Sequence, residues 1–514
     1  MKLKLSRLSK ISLLLAVFFL LDKALAILRS VLIAQQFGAS KELDAFNVAN
    51  NIPDLLFALI SGGALAMAFI PVLTEVLTRS GKVDAWKLFS HIANLAFLVT
   101  SGLALLVALF AVPLVKSEIG VAPGFTSSQQ NMVILLMRLN LIATIIFSIS
   151  GLVMAGLQSN QHFLLPALAP LFYNVGQIFG VVILAPANGY QIGSITLPAY
   201  NLGVSGLVYG VIIGAALHLL IQIPGLVKYK FHWSPGLALN DPDVKKVLSV
   251  LGPRLLTMLC IQSIFLIRDN LGSRLAEGTV TTLTYGWMLQ QVPETLIGTA
   301  IGTALLPTLS ELFAQGQREE FRQTIEKAIR VLLALCLPIA AILAIGFSPL
   351  ISAAFKFGEA GTSLLAWTTA AFLLGLTGHS LKEVGVRSFY ARQEAKIPLL
   401  TAGINIVLYV ILGVLLFRRL GAPGIALTDS IVFTTEAVIL LLLLNKRMIA
   451  PIHLDKGIFR VAIAVLTGAL VTWGLLTFLE PRTSWIISGT APMIVGFLCS
   501  LPWIWKEVRI LAHI

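Results

Sequence analysis

Charged side chains within long apolar segments are the residues of this sequence that could do chemistry. Lys23 and Arg29 lie in the first such segment, where Asp22 is the acidic residue that could offset one of them. A charge at the centre of a bilayer costs at least about 2.5–3.5 kcal/mol, so each of these groups must face a wet cavity or another charge. The surplus of positive charge suits an anionic group such as a phosphate or diphosphate.

Later apolar segments carry further charged residues, which are Arg254, Arg268, Asp269, Lys382, Glu383, Arg387, Asp429 and Glu436. Two interpretations are open for them. They could line a binding cavity, or neighbours of opposite charge, such as Arg268 with Asp269 and Lys382 with Glu383, could form structural ion pairs.

A second polar set could bind a cation, and it consists of Asp269, Asn405, Thr428 and Asp429. Oxygen ligands at membrane depth are what Na⁺ or H⁺ coupling requires. Asn405 and Thr428 would equally suit hydrogen bonds between helices. The sequence has no Walker A, HExxH or GxSxG motif, so we expect a protein that is not an enzyme and that holds no cofactor. Uphill transport would then draw on an ion gradient, the membrane potential or removal of the substrate.

The elements that carry these residues are predicted to be membrane-spanning helices. The chain is 57% hydrophobic and 12% charged, with a mean hydropathy of +0.90. About fourteen apolar runs are each long enough to cross the bilayer, and they lack the alternation of barrel strands. Their approximate ranges are 9–36, 45–77, 88–115, 130–157, 163–187, 202–227, 246–275, 281–313, 328–354, 363–391, 397–417, 422–445, 458–479 and 484–505.

An internal repeat organises these helices. Residues 69–75 read FIPVLTE, and residues 305–311 read LLPTLSE. Two further landmarks follow in the same order, since Asn174 is answered by Asn405 and Gly203 by Gly421. A repeated apolar chain is typical of a transporter built from two pseudo-symmetric lobes. We predict an N-terminal lobe at 1–227, a C-terminal lobe at 228–447 and two more helices at 448–514.

Charge placement predicts the orientation and excludes one class of partner. Most of the 37 Lys and Arg residues fall in loops that face the cytoplasm if the N-terminus is inside. This bias predicts that both termini are cytoplasmic. It also accounts for the net charge of +13 without nucleic acid, because the basic residues are scattered over short loops.

Several segments resemble the MurJ/MviN-type lipid II flippases. They lie at 44–46, 51–56, 68–71, 122–125, 163–174 (FLLPALAPLFYN), 304–310 and 387–391. The resemblance covers about residues 10–450 and implies the fold of the multidrug/oligosaccharidyl-lipid/polysaccharide exporter superfamily. That fold has two six-helix lobes around a central cavity, followed by two C-terminal helices.

The resemblance also implies a substrate and a site. The family moves the undecaprenyl-diphosphate-linked peptidoglycan precursor from the inner to the outer leaflet of the bacterial inner membrane. Its two first-helix arginines correspond to Lys23 and Arg29, which would bind the diphosphate. Its acidic residue in the first external loop corresponds to Asp44, which would line or gate the outer mouth. Membrane lipids and cell-wall synthesis proteins are the other partners implied.

Four positions depart from the family pattern. Phe57 and Ala58 stand where a basic pair often follows the proline-containing motif of the second helix. Met288 stands where an arginine is usual, and Gln291 fills a nearby acidic position. A site that lacks these cations could recruit Arg268 or Arg387 instead. The departures leave open a flippase for another polyprenyl-linked oligosaccharide. A cation-coupled drug exporter of the same superfamily and a non-transporting scaffold are further alternatives, although such exporters usually stop at twelve helices.

Overall fold

Long apolar runs give long helices here, because a backbone in hydrocarbon must satisfy its hydrogen bonds within its own segment. The computed structural model describes residues 7–62, 64–452, 457–479 and 482–511. An antiparallel hairpin, β1 at Gln191–Ile192 and β2 at Ile195–Thr196, pairs Gln191 with Thr196. The rest of the regular structure in these ranges is helical, which confirms the predicted all-α polytopic class.

The chain divides into two compact units, Met1–Leu266 and Ile267–Ile514. The helices of the first unit are α1 (Arg7–Phe37), α2 (Lys41–Phe57), α3 (Ala64–Arg79), α4 (Gly81–Leu109), α5 (Ala111–Lys116), α6 (Ser127–Ser159), α7 (Leu164–Phe179), α8 (Val204–Leu220), α9 (Ile223–Lys228) and most of α10 (Pro242–Ser273). Those of the second unit are α11 (Thr279–Glu294), α12 (Ala300–Ala314), α13 (Arg318–Gly346), α14 (Ser348–Phe355), α15 (Gly358–Leu374), α16 (Leu376–Ala391), α17 (Lys396–Asn445), α18 (Gly457–Leu479) and α19 (Trp485–Leu511). The predicted lobes 1–227, 228–447 and 448–514 follow the repeat and stay predictions.

Eleven helical stretches in the described ranges are long and apolar enough to cross a membrane, judged by length and composition. One of them is α17, which contains two predicted spans joined at a kink at Gly421 (φ 62°, ψ −141°). Glycine adopts this backbone conformation without the clash that a Cβ would cause. The predicted count of about fourteen is consistent with eleven, since α1 and the α2–α3 segment were predicted as further spans.

Each unit has its own apolar core. In the first unit, the rings of Trp86, Phe89 and Phe231 meet edge to face, with centroids 5.3–5.4 Å apart. In the second unit, residues of α12, α13, α16 and α17 form the largest part of the core, with Phe321 and Phe389 almost fully buried. Edge-to-face rings are a favourable arrangement for buried aromatic side chains.

Within the described ranges, three of the long helical stretches contain a π-helix. These π-helices span Ala58–Gly62, Gly180–Leu184 and Thr295–Thr299. A π-helix is a wide single turn that is frequent at functional sites. Pro53 lies shortly before the first and Pro293 before the third, and proline disturbs the regular α-helical hydrogen bonds around it.

Glycines bring α7 and α8 into close contact. A Cβ at Gly176 would lie 2.4 Å from the Cα of Gly214, and one at Gly210 would lie 2.8 Å from the Cα of Gly180. Such small residues let helix backbones approach closely in membranes. This packing fixes the position of α7, which carries a residue of the candidate site.

We expect Gly176→Ala to lower the free energy of unfolding by about 1–3 kcal/mol, the usual cost of overpacking, because the added methyl would overlap Gly214. Gly102→Ala is the matched control, since no atom lies within 4 Å of its added Cβ. The control should be stabilised slightly, because alanine is a better helix former than glycine. Thermal unfolding of both variants in detergent measures the difference, and equal midpoints would contradict the packing argument.

Candidate functional site

A polar cluster lies in the first unit between α1 and α7. Asn174 is 3% exposed, and its Nδ2 donates to Oδ1 of Asp22 at 2.8 Å. Arg29 Nη1 donates to Oδ1 of Asn174 at 3.0 Å. One buried amide therefore connects an acidic and a basic residue of α1, an arrangement that we call the Asn174 bridge. The sequence identified Asp22 and Arg29, but it gave Asn174 only as a landmark of the repeat.

Two further residues extend this cluster. Asp54 and Tyr173 both lie within electrostatic range of Arg29. Asp54 is exposed although it lies inside α2, and a carboxylate at membrane depth must face water or a ligand. Sequence reasoning missed it, although it follows Pro53 in the segment 51–56 that carries the family resemblance.

The cluster changes the charge balance that the sequence predicted for α1. Asp22 and Asp54 both offset Arg29, so the surplus of positive charge is smaller than α1 alone suggests. Lys23 is exposed, with its Nζ 5.5 Å from the ring centroid of Phe19. No carboxylate of the described residues forms an ion pair with Lys23, so its ammonium group is accessible to an external anion.

Asp44 lies in the first turn of α2, next to the cap formed by Ser40, whose Oγ accepts from the backbone N–H of Leu43 at 3.2 Å. A carboxylate in this turn favours the helix through the helix dipole. Asp44 is 1% exposed, so its side chain is enclosed by the first unit. A role for Asp44 at an outer mouth stays a prediction.

An aromatic row occupies one of the places where the family pattern has a cation. The ring centroid of Phe57 lies 5.1 Å from that of Phe147, which lies 5.0 Å from that of Tyr173. Phe57 therefore packs toward the residue next to Asn174. Ala58, the second position of the missing basic pair, begins the first π-helix.

In the second unit, Arg268 and Asp269 form a buried ion pair, with Nε 3.7 Å from Oδ1 and both residues at most 5% exposed. The structural interpretation of this pair is therefore supported. Tyr409 is fully buried and lies within electrostatic range of Arg268, Asp269 and Asp429. Its hydroxyl has no hydrogen-bond partner among the described residues.

The four residues predicted to bind a cation each have a different polar neighbour. Asp269 pairs with Arg268, and Thr428 donates to the carbonyl oxygen of Gly424 at 2.9 Å. Asp429 Oδ2 lies 3.1 Å from Nε2 of His379.

Asn405 donates to Glu436, which also accepts a hydrogen bond from Thr401 at 3.1 Å. His379 is a functional candidate that sequence reasoning missed, and its signal was a histidine inside a predicted span. In the described part of the chain, no three His, Cys, Asp or Glu side chains group around a metal-sized site.

Arg387 is also paired within its own helix. Its Nη2 donates to Oε2 of Glu383 at 3.0 Å, and both side chains are partly exposed. The expected pairing of Lys382 with Glu383 is therefore wrong, because Glu383 points to the residue one turn later. The Lys382 Nζ lies 4.4 Å from the ring centroid of Phe433 instead. Arg268 and Arg387, expected to replace missing cations, both have carboxylate partners.

Long apolar helices that enclose ion pairs and polar bridges define a polytopic membrane protein of the transporter class. The family model described as Lipid II flippase MurJ matches residues 33–496. The chain belongs to this family.

Curated relatives and solved structures agree with this assignment. The chain is 30% identical to the lipid II flippase MurJ of Burkholderia cenocepacia over 478 residues, which cover 91% of this chain and 89% of the relative. It is 26% identical to a probable lipid II flippase MurJ of Vibrio cholerae, with 96% and 94% covered.

The fold matches a solved lipid II flippase MurJ in an inward closed conformation, with a TM-score of 0.76 at 20% identity and coverage of 97% of this chain and 100% of the other. It also matches an inward-facing multidrug resistance MATE family transporter of the MOP superfamily, with a TM-score of 0.69 at 15% identity and coverage of 83% and 94%. At these identities the two structures establish the fold alone.

Proposed function

We propose that this protein is a lipid II flippase, which moves the undecaprenyl-diphosphate-linked peptidoglycan precursor across the bacterial inner membrane. The observation that carries the proposal is the Asn174 bridge beside Lys23, within a chain similar over most of its length to curated flippases of this name. Transport proceeds by alternating access, in which the site faces first one side of the membrane and then the other.

Lys23 and Arg29 bind the diphosphate in this proposal. Lys23 offers an exposed ammonium group, which acts as a mobile point charge. Arg29 offers a guanidinium held in place by Asn174 at 3.0 Å, and the part of its fork that Asn174 does not use can bind a phosphate oxygen. Asp22 and Asp54 keep the empty site close to neutral, which limits the cost of charge at membrane depth. Asp44 supports the start of α2.

The polyprenyl tail has a suitable groove in the second unit. An apolar cavity of about 380 Å³ lies between α13 and α19, and Ile342, Met493 and Phe497 are among its lining residues. A chain of isoprene units is apolar along its whole length, so its contact with such a surface is favourable in free energy. In this proposal α19, one of the two C-terminal helices, binds the tail together with α13.

The orientation and partners follow from the charge bias and from the substrate. Both termini face the cytoplasm, because the basic loops lie on that side. The enzymes that polymerise peptidoglycan must take up the translocated precursor, so cell-wall synthesis proteins are the expected partners. A cysteine-labelling map with a membrane-impermeant reagent tests this orientation at introduced sites in the loops.

The test of function is complementation of cells depleted of their own lipid II flippase. We expect the wild-type chain to restore growth, and Lys23→Ala, Arg29→Ala and Asp44→Ala to fail at equal expression. Lys82→Ala, which removes an exposed lysine from the start of α4, is the matched control and should support growth. A well-inserted wild type that fails would assign the chain to another polyprenyl-linked oligosaccharide. Growth with every variant would overturn the proposed site.

A coupling cation, Na⁺ or H⁺, is part of this proposal, bound near Asp269, Asn405, Thr428 and Asp429. Asn405 Oδ1 and the Tyr409 hydroxyl are buried without a hydrogen-bond partner in the described residues, and they lie one turn apart on α17. Buried oxygens without partners are unfavourable unless a ligand or water satisfies them. These two atoms are the observation that favours a cation here.

We expect the purified protein to unfold at a higher temperature in NaCl than in choline chloride, and Asn405→Leu to abolish that difference. A cation at ten times its dissociation constant stabilises the folded state by roughly 1.4 kcal/mol, which a thermal unfolding scan detects. Asn160→Leu, in the first unit, should keep the sodium effect. Equal midpoints of the wild type in the two salts would exclude Na⁺ and leave H⁺ as the coupling ion to be tested with a pH gradient.

A further inference from the structure

A groove in the second unit lies outside the site proposed for lipid II. It is a cavity of about 740 Å³ between α14 and α15, closed at one end by α13. Its lining residues are Ser348, Ser352, Lys356, Glu359, Thr362, Ser363, Ala366, Trp367 and Ala370, with Ala344, Pro349 and Gly358 completing the wall. We call this cavity the α14–α15 groove.

The face of α15 that lines the groove is polar at its start and apolar further along. Along α15, the lining face changes from Glu359 and Ser363 near the helix start to Ala366 and Ala370 further along. Glu359 and Ala370 are separated by roughly 16 Å along the helix axis. The polar end lies at the start of the candidate span Gly358–Ala391, next to the turn between two helices, and the apolar end lies further inside that span. Because a span begins at a membrane surface, we infer that the groove runs from that surface toward the hydrocarbon.

Lys356 is held in an unusual backbone conformation at the polar end. It caps α14 with φ 54° and ψ 40°, the left-handed region that residues with a Cβ seldom adopt. Its neighbours Phe355 and Phe357 pack on Tyr285, with ring centroids 5.1 and 5.7 Å away. A strained residue fixed by its surroundings at a cavity rim points to a function for its side chain.

Lys356 and Glu359 are both exposed, and among the described residues neither forms an ion pair. They are three residues apart, a spacing at which opposite charges meet on a continuous helix. Here the left-handed turn at Lys356 and Gly358 (φ 72°) separates them. One cation and one carboxylate at the mouth of one groove complement a ligand that carries a phosphate and an ammonium group.

Trp367 adds an interfacial contact. It is 69% exposed and lines the groove next to Ala366, one helical turn beyond Ser363. Tryptophan is enriched at the level of lipid headgroups, where one edge of its ring is apolar and the other can donate a hydrogen bond. The groove therefore combines a charged mouth with alanine side chains and an exposed tryptophan further along α15, and a phospholipid likewise joins a charged headgroup to apolar chains.

We propose that the α14–α15 groove binds a zwitterionic phospholipid. The phosphate contacts Lys356, the ammonium group contacts Glu359, and one acyl chain lies against Ala366 and Ala370. An anionic phospholipid offers the phosphate but not the ammonium group, so Glu359 disfavours it. The site is independent of the lipid II site in α1 and α7, and its test does not need transport activity.

The test uses the fluorescence of Trp367 in the full-length protein. The protein and Trp367→Phe are reconstituted in vesicles of phosphatidylcholine and phosphatidylglycerol that contain a small fraction of phosphatidylethanolamine with a brominated acyl chain. A second set contains brominated phosphatidylglycerol at the same fraction. The difference between the protein and Trp367→Phe isolates quenching at Trp367. We expect the brominated phosphatidylethanolamine to give the same quenching at a concentration about two- to fivefold lower than the brominated phosphatidylglycerol. This is the factor that corresponds to one exposed ion pair.

Four variants test the two charges separately. Lys356→Asn keeps the left-handed turn, which asparagine tolerates, and should weaken quenching by both brominated lipids, because both carry the phosphate that Lys356 contacts. Glu359→Gln should lose the preference for the ethanolamine lipid, because it removes the carboxylate that contacts the ammonium group. Lys356→Arg keeps the charge and should keep the preference. Lys230→Asn is the matched control, since Lys230 is also an exposed lysine at positive φ (55°), and it should behave as wild type. Equal quenching by the two brominated lipids, a preference for phosphatidylglycerol, an unchanged preference in Glu359→Gln, or unchanged quenching by both lipids in Lys356→Asn would overturn the proposal.

Discussion

Asn174→Ala is expected to slow lipid II translocation by roughly ten- to a hundredfold, the factor that corresponds to a buried charge or amide left without its partner. Asp22 and Arg29 are two helical turns apart on α1, roughly 10 Å along its axis, so they cannot replace the amide by pairing with each other. Without Asn174, the Arg29 guanidinium loses the contact that fixes its direction. Translocation in reconstituted vesicles, with a labelled precursor, measures the loss.

The control for this variant is Asn160→Ala, because Asn160 Nδ2 bonds only to Gly156 of its own helix among the described residues. It should transport at the wild-type rate. The double variant Arg29→Ala/Asn174→Ala should be no slower than Arg29→Ala alone, since both changes remove one interaction. Additive losses in the double variant, or normal transport by Asn174→Ala, would show that the bridge does not position Arg29.

Arg268→Ala is expected to destabilise the protein by about 3–5 kcal/mol, because it leaves the buried Asp269 carboxylate without the guanidinium beside it. Arg387→Ala serves as the comparison, since its pair with Glu383 is partly exposed and should contribute less than about 1 kcal/mol. Unfolding by denaturant in detergent gives both free energies. Both variants replace an arginine by alanine. The difference between their free energies of unfolding therefore measures the effect of burial on the ion pair.

The double variant Arg268→Met/Asp269→Leu should recover most of the lost stability, because it removes both buried charges and keeps similar volume. Such recovery would show that the pair is not required for stability. If Arg268→Ala unfolds no more easily than Arg387→Ala, the buried ion pair contributes little to the free energy of unfolding. A further unfolding scan in NaCl and in choline chloride would then show whether Asp269 still affects cation binding.

The sequence was sufficient for the fold, because apolar runs and a repeat are properties of the chain in one dimension. The boundary between two spans near Gly421 was found from apolar length alone, and the structure places a glycine-dependent kink there. Lys23 and Arg29 were found because a charge in an apolar run is conspicuous. The charge balance around Arg29 could not be predicted from α1 alone, because the Asp54 carboxylate that interacts with Arg29 lies on another helix.

Pairing across the chain was beyond sequence reasoning. Asn174 and Arg29 are 145 positions apart, and His379 and Asp429 are 50 apart. An asparagine or histidine in a span suits a helix contact as well as a site, so its type alone does not select the partner. Lys382 and Glu383 illustrate the opposite error, because Glu383 pairs with Arg387, four residues further along the same helix, and not with its neighbour Lys382.

The π-helices Ala58–Gly62 and Thr295–Thr299 lie at similar places in the two halves of the repeat. Each lies shortly before the same proline-leucine-glutamate motif, at 69–75 in the first half and at 305–311 in the second. A π-helix of this kind contains one residue more than the α-helical turn it replaces. The internal repeat therefore extends from the sequence to the backbone, since each half widens a helix ten or eleven residues before the motif.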